Sequence, residues 1–67
     1  MRVFVNGQAQ EFPVGETVAG VIRTVGGVPE TGVAVAVDGE VVPRRDWATT
    51  ELRDGSRVEL VAAVQGG

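Results

Sequence analysis

The sequence predicts a two-layer α+β domain, one helix covering one face of a sheet of about five short strands. Three observations predict it. Asn6-Gly7 and Asp38-Gly39 each sit between strand-like segments, a strong short-range sign of a two-residue hairpin. Val18, Val21, Ile22 and Val25 recur at i, i+3, i+4 and i+7, which gathers them on one helical stripe. Residues 57–64 alternate, with Val58, Leu60, Ala62 and Val64 facing one way and Glu59, Val61 and Ala63 the other.

Each element has a local reason. Residues 2–6 alternate Val3 and Val5 against Phe4, and Asn6-Gly7 supplies the positive-φ pair that a type I′ turn needs. Residues 8–12 read as the return strand, anchored by Phe12 and closed by Pro13, Val14 and Gly15. Thr17 suits a helix N-cap, its hydroxyl accepting an orphan amide hydrogen two or three residues on. Gly20 and the β-branched valines lower helix propensity, so burial of the apolar stripe must hold the helix. Gly26-Gly27 ends it. Beyond the Pro29 loop, residues 32–37 place Val33, Val35 and Val37 on one face. Asp38-Gly39 turns the chain into a short partner strand, residues 40–42, which Pro43 terminates. Residues 44–50 are polar apart from Trp47 and Ala48 and fit one irregular helical turn. Leu52 is the next apolar anchor, and Asp54-Gly55 marks a third turn. The expected core is Val3, Val5, Phe12, Val18, Val21, Ile22, Val25, Val35, Leu52, Val58 and Leu60.

Length and composition bound the function. Sixty-seven residues make one small domain, here residues 1–64 followed by a flexible tail, 65–67. With 43% hydrophobic residues, 22% charged residues and a net charge of −3, the profile is globular and not disordered. His, Cys, Tyr and Lys are absent, and all six basic residues are Arg. Disulfides and thiolate metal sites are therefore excluded, and so are the usual near-neutral bases and nucleophiles of catalysis. The chain is not expected to be an enzyme or to bind a cofactor. Its nine carboxylates show no metal-site or acid–base spacing. The acidic balance argues against nucleic acid, and the short apolar runs against a membrane span. Only Met1 and Arg2 precede the first apolar pattern, so no signal peptide is expected and a cytoplasmic location is.

Gly66-Gly67 is the strongest functional sign. Frayed chain ends are common, but a Gly-Gly end also threads a cleft that any side chain would block. Its α-carboxylate is the one group that an ATP-dependent partner can activate without a side chain. Phe4, Val61 and Ala63 lie on strand faces away from the helix. If the first and last strands are neighbours, these residues form an apolar patch leading through Gln65 to Gly66. Arg44, Arg45 and Asp46 read as a solvated turn, Arg23 as a solvated helix residue, and Trp47 as a plug at the end of the core.

Taken together, these motifs resemble the sulfur carrier protein family of thiamin biosynthesis, which has the ubiquitin-like β-grasp fold with a mixed sheet. The resemblance rests on Val5-Asn6-Gly7, Gly15-Glu16-Thr17-Val18 and the run from Val35 through Asp38-Gly39-Glu40-Val41-Val42-Pro43 to Arg44. Trp47, Asp54-Gly55 and Gly66-Gly67 complete it, so it spans the whole chain. It implies that an adenylating enzyme converts the Gly67 carboxylate to an acyl-adenylate at the expense of ATP. A sulfur donor, such as a cysteine desulfurase system, then displaces AMP to leave a thiocarboxylate. Thiazole synthase takes that sulfur, and the carrier is a monomer when free. Ser56 departs from the family, where an acidic residue often follows the turn glycine, and Ala19-Gly20 weakens the helix. The alternatives are the small subunit of molybdopterin synthase, a ubiquitin-like modifier and a plain interaction module. The molybdopterin subunit is usually longer, with prolines ahead of its tail. A modifier without Lys cannot build chains on its own side chains.

Overall fold

The alternating residues at the start of the chain form a hairpin. β1 (Arg2–Val5) and β2 (Gln8–Glu11) pair antiparallel, Arg2 opposite Glu11 and Val5 opposite Gln8. Asn6 and Gly7 join them at φ values of 48° and 84°, the two left-handed residues of a type I′ turn. A computed structural model describes residues 1–25 and 32–62, Ala62 by its backbone alone. The expected helix stop at Gly26-Gly27, the Pro29 loop and everything after Ala62 lie outside the described residues.

The second hairpin follows the same logic. β3 (Val33–Val37) and β4 (Glu40–Val42) pair antiparallel across Asp38 and Gly39, at φ of 50° and 86°. β5 (Arg57–Ala62) then enters between the two hairpins, giving the order β2-β1-β5-β3-β4. It runs parallel to β1 and antiparallel to β3, so the five-stranded sheet is mixed. The strand that leads to the tail is thus the central one.

α1 (Val18–Val25) starts where the sequence places a cap. The Gly20 amide donates to Thr17 Oγ1 at 3.2 Å. The amides of Val18 and Ala19 find partners outside the helix, in the carbonyls of Thr50 and Trp47, both at 3.0 Å. That links α1 to the irregular segment, which opens with a 3₁₀ turn over Arg44–Asp46. Trp47 stands at the junction. Its indole N–H donates to the Val42 carbonyl at 2.9 Å, and the ring packs against the core, with the Arg44 guanidinium 5.7 Å from its centroid.

Val3, Val5, Phe12, Val18, Val21, Val35, Leu52 and Val58 are buried and form one cluster. Ile22, Val25 and Leu60, also expected in the core, pack against this cluster half-buried. β1 stops at Val5, opposite Val58, so Leu60 extends past it with a strand on one side only. Ile22 sits about 100° round the helix from buried Val21, on the margin of the stripe. Phe12 anchors the first hairpin from just beyond β2, which ends at Glu11.

Ser56 is the one buried polar side chain among the described residues. Its hydroxyl accepts the Arg53 amide at 2.9 Å, its own amide donates back to the Arg53 carbonyl, and its carbonyl takes the Phe4 amide. Gly55, at φ 88°, turns the chain between them. An acidic side chain at this position has an oxygen for the same amide, so the departure from the family pattern leaves the turn chemistry intact. Ser56→Ala strands a donor and is expected to cost about 1–2 kcal/mol in urea unfolding, with Ser56→Asp recovering most of it.

Candidate functional site

The site begins at β5, because the sequence runs on from that strand to Gly66-Gly67. Two side chains that sequence reading assigned only to turns also hold β5 in place. Asn6 donates its backbone N–H to the Val58 carbonyl, and its side-chain Oδ1 accepts the Leu60 amide at 2.9 Å. It thereby extends the β1–β5 ladder one residue past the end of β1. On the other side, Asp38 Oδ1 accepts the Arg57 amide at 2.9 Å while the Asp38 amide donates to the Arg57 carbonyl at 2.8 Å. Left-handed backbone at both turns aims these short side chains at the strand between the hairpins. Asn6→Gly keeps the turn but loses the Leu60 bond. The expected loss is about 1 kcal/mol, together with faster hydrogen exchange at the Leu60 amide.

α1 packs on one face of the sheet, and among the described residues no element covers the other. Phe4 and Val61 share the open face, but the register separates them. Phe4 stands opposite Arg57, whose guanidinium lies 5.6 Å from the ring centroid. Val61 is four residues further along β5, about 13 Å away at strand rise. It is 59% exposed and stands opposite exposed Ala34 on β3. Val41, 73% exposed, stands opposite half-buried Ala36 on the same face. The apolar surface near the end of β5 therefore runs across Val61, Ala34, Ala36 and Val41, with Arg57 and Glu59 between it and Phe4. This widens the expected patch towards β4 and parts its two ends. A groove of about 550 Å³ beside Phe4 is lined by Asn6, Gly7, Arg57, Val58 and Glu59. The other expected site residues, Ala63, Gln65, Gly66 and Gly67, lie outside the described residues.

The site's described part has no reactive group of its own. Among the described residues no three carboxylates gather where they could hold a metal ion. Among the described residues no helix is long and apolar enough to cross a membrane. What the arrangement offers is a braced central strand, an open apolar face beside it, and a chain that continues to two glycines.

A five-stranded mixed sheet with one helix on one face, its last strand central and parallel to its first, is the ubiquitin-like β-grasp fold. The chain belongs to the ThiS family, which its residues 3–67 match, the family of the sulfur carrier of thiamin biosynthesis. It is 30% identical to the sulfur carrier protein ThiS of Escherichia coli (strain K12) over 67 residues, with both chains covered completely. It is 33% identical to a thiazole synthase of Paramagnetospirillum magneticum, of which it spans only 20%. The crystal structure of the thiamine biosynthesis protein ThiS from Geobacter metallireducens superposes with a TM-score of 0.86, at 26% identity and complete coverage of both chains.

Proposed function

We propose that this chain carries sulfur on the carboxyl end of Gly67 and delivers it to thiazole synthase. The observation that carries the reading is the end-to-end match with the Escherichia coli sulfur carrier, in a chain whose central strand leads to Gly66-Gly67. The carboxylate is a poor electrophile. An adenylating partner lets it attack the α-phosphorus of ATP, pyrophosphate leaves, and the acyl carbon now bears AMP as a good leaving group. A sulfur nucleophile from a donor such as a cysteine desulfurase system attacks that carbon, and AMP departs. Sulfide leaves the thiocarboxylate directly, whereas a persulfide leaves an acyl disulfide whose S–S bond a thiol reductant then breaks, releasing the thiocarboxylate. The chain is a co-substrate here and binds no cofactor; ATP is consumed in the partner's site. Glycine at both final positions lets the tail enter that site without a clashing Cβ. A segment like this chain forms part of a thiazole synthase, which supports the synthase as the acceptor. The carrier works as a cytoplasmic monomer between such partners.

The test combines purified chain with the adenylating enzyme, ATP and a sulfur donor, and reads the intact mass. A gain matching one oxygen replaced by sulfur, located on the C-terminal peptide, is the expected result. An unchanged mass with partners proven active on another carrier overturns the reading. Isopeptide adducts on other proteins would point to a modifier instead.

Docking is assigned to the open face, through Phe4 and Val61 with Ala63, Gln65 and Gly66 beyond. Val61 is exposed, so Val61→Asp is expected to shift stability by no more than about 0.5 kcal/mol. Its affinity for the adenylating enzyme is expected to fall about tenfold, the loss of one hot-spot contact. Titration calorimetry beside thermal melting separates the two effects. An unfolded variant would place Val61 in the core.

A further inference from the structure

Every positively charged side chain in this protein is an arginine, and Lys, Cys, His and Tyr are all missing. Lysine is one of the commonest residues of ordinary domains. The difference is chemical as well as electrostatic. A guanidinium stays protonated and does not attack carbonyl carbon, whereas a lysine amine or a cysteine thiolate does. The hydroxyls among the described residues are engaged too. Thr17 accepts the Gly20 amide, and Thr24, Thr49 and Thr50 donate to backbone carbonyls. Ser56 is buried with its oxygen on the Arg53 amide. The Met1 amino group is half-buried and donates to the Phe12 carbonyl at 2.6 Å. It sits beside β1's first residue, whereas the chain leaves β5 at the opposite end of that parallel pair.

We propose that the chain is depleted of side-chain amines and thiols so that its activated end cannot acylate the carrier itself or a second copy. The inference rests on Gly67 being the activated residue. In the reaction avoided, an amine nitrogen attacks the acyl carbon of the Gly67 adenylate. A C–N bond forms, the C–O bond to AMP breaks, AMP leaves with the electron pair, and the nitrogen's proton goes to solvent. The product is a ring or an isopeptide-linked dimer whose amide has no leaving group, so the carrier is lost. Arginine at all six basic positions keeps the charge, the Arg2–Glu11 ion pair at 3.2 Å and the Arg57–Phe4 contact, without supplying a nucleophile.

The test uses the full chain prepared as a Gly67 thioester. The natural sequence is compared with a triple variant, Arg23→Lys, Arg45→Lys and Arg53→Lys, at exposed positions outside β1 and β5, the strands that carry Phe4 and Val61. Charge is conserved, melting curves verify folding, and Arg23→Lys alone serves if the triple variant does not fold. At mildly alkaline pH the variant is expected to form covalent self-products about tenfold faster or more, since a tethered acyl group faces its own amines at high effective concentration. Equal rates overturn the proposal. ATP–pyrophosphate exchange by the natural chain with its adenylating partner is measured separately. Failure there removes Gly67 as the activated residue, while the thioester comparison still reports on self-acylation.

Discussion

Deletion of Gly67 is expected to abolish ATP-dependent activation and leave the melting temperature unchanged. The residue follows β5 in the sequence and has no side chain, so its removal takes no side chain from the cluster of Val3, Val5, Phe12, Val18, Val21, Val35, Leu52 and Val58. The truncated chain still ends in a carboxylate, on Gly66. That carboxylate is short of the attacking position by about 3.5 Å, one residue of extended chain. A misplacement of ~1 Å from near-attack geometry already costs about a hundredfold in rate, so exchange should fall below detection. ATP–pyrophosphate exchange with the adenylating enzyme reads the activation, and thermal melting reads the fold. Normal exchange by the truncated chain would move the reactive carbonyl elsewhere and sink the reading. Lost exchange with an unfolded body would mean that Gly67 is structural.

Local signals wrote most of this fold plainly. Asn-Gly and Asp-Gly fixed both hairpins because two adjacent left-handed residues are tolerated by few other pairs, and Thr17 with the spaced valines marked the helix. Long-range register was not readable in the same way. Alternation shows which face Phe4 and Val61 occupy, but only the β1–β5 register places Arg57 opposite Phe4 and puts Val61 four residues on. The same limit hid the second roles of Asn6 and Asp38. A turn residue announces its own φ, whereas its bond to Leu60 or Arg57 depends on β5 arriving from more than fifty or nearly twenty residues away. Leu60 shares the period of Val58, yet β1 ends before reaching it and leaves it half-buried. Ser56 reads in the sequence only as a departure from the family, since a lone serine gives no sign of burial. At the candidate site, the Gly-Gly end stands out in the sequence alone because it needs no neighbours to be recognised, and it lies outside the described residues.

Phe12→Ala is the substitution expected to cost the body most. The ring is 6% exposed in the core, and the residue's backbone closes the first hairpin twice, its amide donating to the Met1 carbonyl and its carbonyl accepting the Met1 amine. Truncating a buried phenylalanine costs about 3–5 kcal/mol through lost transfer energy and the cavity left behind. A chain of 67 residues has only about 3–10 kcal/mol in hand, so the variant is expected to be marginal or unfolded. Leu60→Ala is the control. Its side chain is half-buried, and a loss at or below the lower end of the ~2–5 kcal/mol range for leucine truncation is expected. Urea unfolding should therefore show a much lower midpoint for Phe12→Ala than for Leu60→Ala, and equal midpoints would dissolve the distinction between core and margin. The pair also separates two routes to an inactive carrier. Phe12→Ala should lose adenylation in step with its folded fraction and regain it when a stabilising osmolyte restores the fold. Deletion of Gly67 should lose adenylation with the body intact and recover nothing under the same treatment.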